Sequence, residues 1–113
     1  MSINTLMNHV AVVKRPRHEN EVDAAGMPVH DPQTVLPACV GRLSRQSARQ
    51  REMWAAQGVQ ADYAWITLED SIENNWFIIF DGRTFVVTAD GQKSYTEGRI
   101  PSHWNYPLTE MRA

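Results

Sequence analysis

Four histidines are the residues of this chain whose chemistry is best suited to holding a metal ion. Zinc sites place their ligands at short, characteristic spacings, such as two histidines four residues apart on a helix. No such spacing occurs here, and the single cysteine, Cys39, has no cysteine to pair with. We therefore expect no metal ion and no cofactor. The histidines are His9, His18, His30 and His103.

A short acidic segment is the second candidate for chemistry, because Glu69, Asp70 and Glu73 lie close together in the chain. Paired carboxylates act as general acid and base only in a cleft that raises the pKa of one of them. No nucleophile motif and no glycine-rich phosphate loop accompanies them. We interpret the segment as an exposed acidic loop and expect the protein not to be an enzyme.

Arginines form the third set, with Arg42, Arg45 and Arg49 at spacings typical of one side of a helix. Two interpretations are open. The set is either a solvated helix face or a surface that contacts phosphates or an acidic partner, since guanidinium groups bind both kinds of anion. Arg51 is close enough in the sequence to extend this surface.

The element that organises the rest of the chain is a predicted β-hairpin within residues 76–88. Asp81-Gly82 lies between two apolar runs, which predicts a type I′ turn with positive φ at both residues. Side chains alternate along each strand, so both faces of the hairpin are apolar. We expect the hairpin to lie inside a barrel or sandwich and to be covered on both faces. The predicted pairs are Phe80 with Arg83, Ile78 with Phe85 and Trp76 with Val87.

One helix is predicted, at about residues 44–57. Ser47 and Gln50 form a capping-box pattern, with Ser44 as an alternative N-cap, and Gly58 suits the position after the last turn. Residues 18–33 are polar and rich in turn formers, which predicts a long exposed loop. Loops of this length in small domains are usually functional or disordered.

Apolar patterns predict further strands at residues 6–13, 34–43, 60–68, 93–96 and 103–111. Pro37 is expected at a sheet edge or at the start of a strand, and Pro107 at a sheet edge, because proline has no N–H to donate to a neighbouring strand. The result is a mainly β fold, a small antiparallel β-barrel of about six strands with one helix.

Composition limits the function classes. A chain of 113 residues is expected to form a single domain over residues 1–113. The formal net charge of −2 argues against a dedicated nucleic-acid binder. One cysteine cannot form an internal disulfide, which suits a reducing compartment. No apolar run approaches the length of a membrane span, and we expect no signal peptide.

Taken together, these motifs resemble the head-closure proteins of tailed bacteriophages, also called head–tail joining or stopper proteins. The similar features are a β start, a polar loop with an Asp-x-x-Gly turn at Asp23 and Gly26, and a helix bearing Ala and Arg. A strand then leads through an acidic loop into the Phe-Asp-Gly-Arg-Thr-Phe-Val-Val segment at residues 80–87, followed by a C-terminal strand with His, Trp and Tyr.

The resemblance implies a non-catalytic virion protein, made in the bacterial cytoplasm, that forms a homo-oligomeric ring at the head–tail interface. It implies contact with a portal or adaptor protein on one side and a tail-terminator or tail protein on the other. Packaged DNA passes through the channel of the ring, and no membrane is involved. The residues we expect to make contacts are Arg42, Arg45, Arg49, Asp23 and Gly26.

Two other functions stay open at this point. A small β-barrel with aromatic residues beside arginines could bind single-stranded nucleic acid by base stacking and phosphate contacts. A metal-dependent hydrolase that uses the histidines is a weaker hypothesis, because their spacing fits no known ligand pattern.

Overall fold

A computed structural model describes residues 8–17, 25–27, 31–94 and 103–111. Its elements are β1 (His9–Arg15), β2 (Gln33–Arg45), α1 (Ala48–Ala55), β3 (Tyr63–Thr67), β4 (Phe77–Phe80), β5 (Arg83–Val87), β6 (Gln92–Ser94) and β7 (His103–Met111). All these strands belong to one antiparallel sheet with the order β3-β2-β1-β4-β5-β7, and pairing of β3 with β7 closes it into a barrel. β6 adds to the first half of β7. The prediction of a mainly β fold, a small antiparallel barrel of about six strands, is confirmed, and the described residues contain one helix.

The hairpin formed by β4 and β5 has the predicted turn and register. Asp81 and Gly82 have φ values of 52° and 72°, the positive values that a type I′ turn requires. Ile78 pairs with Phe85, and both side chains are fully buried inside the barrel. Phe80 pairs with Arg83 as predicted, and Val87 N donates to Trp76 O over 2.9 Å. Val87 is buried as well, whereas Trp76 and Phe80 are partly buried and pack against the core, so burial of this face is confirmed at its centre.

The other face of the hairpin differs from the prediction, which expected it to be covered as well. None of its four side chains is buried, and all are only partly shielded from solvent. The reason is architectural, because a single closed barrel buries only the inward-facing side of each strand. These four residues are Phe77, Ile79, Thr84 and Val86.

The barrel interior holds the hydrophobic core. Its largest fully buried side chains include Trp65, Tyr106 and Leu108. Cys39 is also buried, with its Sγ 3.7 Å from the hydroxyl oxygen of Thr67, so it is a thiol within the core.

The helix is shorter than predicted. Ser47 is its N-cap, and the capping box with Gln50 is present: Gln50 N donates to Ser47 Oγ over 3.2 Å, and Ser47 N donates to Gln50 Oε1 over 3.0 Å. Gly58 follows the helix with φ of 76°. Ser44 and Arg45 belong to β2 instead, because residues 41–45 pair with β3. The predicted start at residue 44 was wrong because a cross-strand partner outweighed the local helix propensity.

Pro37 had been expected at a sheet edge or at the start of a strand, and Pro107 at a sheet edge. Pro37 lies beside a bulge in the first half of β2, where residues 33–40 pair with β1 alone, so that prediction is confirmed. Pro107 lies inside the sheet, since β7 pairs with β3, β5 and β6, so that prediction was wrong. The Pro107 carbonyl accepts from Thr88 N over 2.9 Å. Proline is tolerated here because β5 ends at Val87 and pairs with residues 108–111, so the missing N–H of Pro107 removes no bond between β5 and β7.

Candidate interaction surfaces

The arginines predicted to share one helix face do not do so. Arg42 and Arg45 lie in β2, and only Arg49 lies on α1. Residues three apart in a strand point to opposite sides, so Arg42 and Arg45 diverge. All three are exposed. The single basic stripe is therefore a wrong prediction, caused by the misplaced start of the helix.

The structure instead brings Arg45 together with Arg51 at one end of the barrel. Both line a cavity of about 360 Å³, which we call the arginine cavity. No hydrogen bond or ion pair of either guanidinium occurs within the described part of the chain. The residues lining the cavity are Arg45, Arg51, Gln60, Asp62, Tyr63 and Glu110.

Arg83 contacts two of the residues that line this cavity, Glu110 and Tyr63. Its Nε and Nη2 donate to the two carboxylate oxygens of Glu110 over 2.9 and 2.8 Å, and Nη2 also donates to the Tyr63 hydroxyl over 3.1 Å. The guanidinium carbon lies 5.3 Å from the centroid of the Tyr63 ring and 5.0 Å from that of Phe85. The hydrogen bonds to Glu110 have the largest effect on the pKa of Arg83 and raise it above its ordinary value. The hydrogen bond to Tyr63 raises it further. This bidentate pair binds both oxygens of the Glu110 carboxylate. Within the described ranges, the Arg45 and Arg51 guanidinium groups in the same cavity have no side-chain partner.

The acidic loop, residues 69–75, lies at the opposite end of β3. The Tyr106 hydroxyl donates to the Glu69 carbonyl over 2.7 Å, and the side chain of Ile72 is buried against the core. The Glu69 carboxylate accepts from the Ser71 hydroxyl over 2.7 Å. Asp70 and Glu73 are exposed, so the backbone of the loop is anchored while these two carboxylates face solvent.

Burial raises the pKa of Tyr106 to about 12, and the nearby carboxylates of Asp70 and Glu69 add to this effect. The hydroxyl therefore stays protonated and remains a donor to the Glu69 carbonyl at neutral pH. No feature of the sequence pointed to this contact, because the two residues are 37 positions apart.

An outer apolar face extends across four neighbouring strands of the barrel. Val12 pairs with Ile79, Ile79 with Thr84, and Thr84 with Met111, so one cross-strand row runs from β1 to β7. Exposure reaches 56% at Val10 and 50% at Met111. The apolar outer residues of the hairpin were visible in the sequence, but their continuation onto β1 and β7 was not. We define the outer apolar face as Val10, Val12, Phe77, Ile79, Val86 and Met111.

The segment between β1 and β2, where a long loop was predicted, is described only at residues 16–17, 25–27 and 31–32. Asp23 lies outside the described residues, and so do His18 and His30. Gly26 has φ of 80° and is exposed. Arg17 Nε donates to the Asp31 carbonyl over 3.1 Å. The structure does not bring Gly26 into either of the two charged regions described above.

The remaining histidines have separate environments. His9 accepts a hydrogen bond at Nδ1 from Leu43 N over 3.0 Å, and its ring lies 4.6 Å from that of Phe80. His103 begins β7. Among the residues that the structure describes, no group of three or more His, Cys, Asp or Glu side chains could hold a metal ion.

Comparison with known proteins adds no relative, since no protein-family model and no curated protein matches the chain. In the described ranges, no helix has the length and apolar character needed to cross a membrane. The class that fold and surfaces define is thus a closed antiparallel β-barrel with an outer apolar face and two separate charged regions.

Proposed function

We propose that the protein is a non-enzymatic structural subunit of a bacteriophage head–tail connector. In this role, copies form a ring below the portal or adaptor, join the capsid to the tail and help to retain packaged DNA. The proposal starts from the resemblance of the sequence to head-closure proteins. It is supported by the β-barrel fold and by the character of the exposed surfaces.

The observation that carries the proposal is the outer apolar face. Apolar residues cluster on adjacent strands: one cross-strand row contains Val12, Ile79 and Met111, with Thr84 between the last two. The next row contains Phe77 and Val86, flanked by Lys14 and Thr109. Contiguous apolar patches on a protein surface commonly mark sites where another protein binds. A connector subunit must be covered by its neighbours in the virion, and this face is the surface that such a neighbour would bury.

The closed barrel supports the same role. Closure removes most free strand edges, which limits uncontrolled edge-to-edge pairing between copies. Contacts are then restricted to side-chain surfaces of defined shape, as an assembly with a fixed number of copies requires.

Binding of single-stranded nucleic acid is the alternative, and the surfaces favour it less. Base stacking needs exposed aromatic rings beside cationic groups. All of the exposed large hydrophobic residues in the described ranges are aliphatic or Met: Val10, Met27, Val40, Met53, Leu68 and Met111. Arg45 and Arg51 could contact phosphates, but the aromatic ring that lines their cavity, that of Tyr63, already lies under the Arg83 guanidinium.

Electron microscopy of the full chain, mixed with the portal and adaptor proteins of the same phage, tests the proposal. We expect a ring of copies on the portal–adaptor complex. Ile79→Lys should prevent attachment by placing a charge in the outer apolar face, whereas the matched control Thr34→Lys, at an exposed position of β2, should attach normally. Absence of the wild-type chain from these complexes would contradict the proposal.

A further inference from the structure

We infer that the arginine cavity binds the acidic loop of a second copy of this chain. This inference rests on the proposed function, because it names the contact through which neighbouring copies of the ring meet. It assigns one copy's Arg45 and Arg51 to the exposed carboxylates of Asp70 and Glu73 on the next copy.

Positive and negative residues are concentrated in two different segments of the chain, and these segments contain the two sides of the inferred contact. Residues 32–51 contain four arginines and no acidic residue. Residues 67–82 contain four acidic residues and no lysine, arginine or histidine. The two segments thus carry opposite net charges, and long-range attraction between such surfaces fixes which faces meet.

Folding separates the two charged regions within one copy. Arg45 pairs with Tyr63 at the start of β3, whereas the acidic loop begins two residues after Thr67 at its end. Four residue steps along a strand span about 13 Å. The Tyr106 bond to Glu69 and the burial of Ile72 hold the loop at its own end of the barrel. The loop therefore cannot fold back onto the arginine cavity of the same chain.

The unpaired groups on each side complement one another. The side chains of Arg45 and Arg51 make no hydrogen bond or ion pair within the described residues, and the same is true of the Asp70 and Glu73 carboxylates. The cavity also contains Glu110, which Arg83 binds in a bidentate pair, and Asp62, whose carboxylate accepts from Gln60 Nε2 over 3.2 Å. Two arginines therefore face one carboxylate that has no cationic partner in the described ranges, and the cavity keeps a net positive charge. Guanidinium groups bind carboxylates through two parallel hydrogen bonds, so two arginines suit two incoming carboxylates.

The contact is heterologous, because two different surfaces of the chain meet. A heterologous contact repeats from copy to copy and forms a closed ring if the rotation between copies closes. The outer apolar face is not used in this contact and stays available for a different virion protein.

Charge reversal with complementation tests the inference on the full chain. One variant carries Arg45→Glu and Arg51→Glu, and the other carries Asp70→Arg and Glu73→Arg. We expect each variant alone to self-associate more than about tenfold more weakly than the wild type. An equimolar mixture should restore association, because each variant then meets a surface of opposite charge. The variant with all four changes should restore it as well. Sedimentation velocity measures assembly, and circular dichroism checks that each variant is folded.

Matched controls separate a specific contact from a change in net charge. Arg42→Glu and Arg49→Glu make the same charge change at the two arginines that the sequence also predicted to make contacts but that do not line the cavity. If copies meet through the arginine cavity, association of this control variant should persist. Association of the wild type should weaken between about 0.1 M and about 1 M salt, because the Debye length falls from about 10 Å to about 3 Å.

The outcomes also distinguish this inference from the proposed function. The inference would be overturned if either double variant associated as strongly as the wild type. It would also be overturned if neither the mixture nor the four-change variant associated. A wild-type chain that stays monomeric at low salt would overturn it too. If the Arg45→Glu, Arg51→Glu variant still forms rings on the portal–adaptor complex, the contact between copies is wrong while the connector function stands.

Discussion

Tyr106 and Glu69 are joined by a 2.7 Å hydrogen bond from the tyrosine hydroxyl to the backbone carbonyl. The bond connects the barrel interior to the acidic loop. Tyr106→Phe should therefore lower the free energy of unfolding by about 1 kcal/mol, because the carbonyl loses its donor. Hydrogen exchange should become faster in residues 69–75. Tyr63→Phe is the matched control, since its hydroxyl contacts Arg83 and not the loop. Equal loop protection in both variants would contradict this role.

Alkaline pH should weaken the fold through the same residue. Burial raises the pKa of Tyr106 to about 12, from an ordinary value of about 10. Between these values the unfolded chain loses a proton that the folded chain retains, so the stability contributed below pH 10 is lost as pH rises toward 12. Urea unfolding across this range should show a smaller loss of stability in Tyr106→Phe than in the wild type. If the free energy of unfolding fell equally with pH in both proteins, Tyr106 would not titrate in this way.

Gly41 occupies a position in β2 where a side chain does not fit. A Cβ there would lie 2.6 Å from the carbonyl oxygen of Ile66 and 2.7 Å from the ring of Trp65. Gly41→Ala should cost about 1–3 kcal/mol of stability, because both neighbours belong to the packed barrel. Ser44→Ala in the same strand should change stability by less than about 0.5 kcal/mol. Chemical denaturation compares the two variants, and an equal effect would contradict the packing argument.

The turn of the central hairpin depends on backbone conformation at Asp81, where φ is 52°. Asp81→Val should destabilise the protein by about 1–2 kcal/mol, since a β-branched residue adopts positive φ only with strain. Asp81→Asn should leave stability nearly unchanged, because asparagine tolerates this conformation. Thermal unfolding of both variants is the measurement. A valine variant as stable as the asparagine variant would show that the turn has another geometry.

The elements that were correctly predicted are those whose signals are local. Asp81 and Gly82 determine their own turn, and Ser47 and Gln50 determine their own cap, because the interacting atoms lie within a few residues. The paired strands on either side of the turn followed from the same local signal and from the alternation of apolar residues.

The errors arose where distant partners decide the conformation. Arg45 lies in a strand because Tyr63 pairs with it, which no pattern around residue 45 indicates. Pro107 lies inside the sheet because β5 has already ended opposite it. The arginine cavity is likewise non-local, since Arg45, Arg51 and Glu110 meet only after the barrel closes. The sequence indicates that the arginines are interaction candidates. Which of them lie side by side is visible only in the folded barrel.

The central proposal is that this barrel acts by assembly and not by catalysis or by binding single strands. Electron microscopy of the wild-type chain with the portal and adaptor proteins that the proposed function requires tests it most directly, with an oligonucleotide titration of the same sample beside it. The account predicts a ring of copies on the complex and no tight binding of the oligonucleotide. Dispersed monomers that bind single-stranded DNA tightly, with a steep dependence on salt, would contradict it.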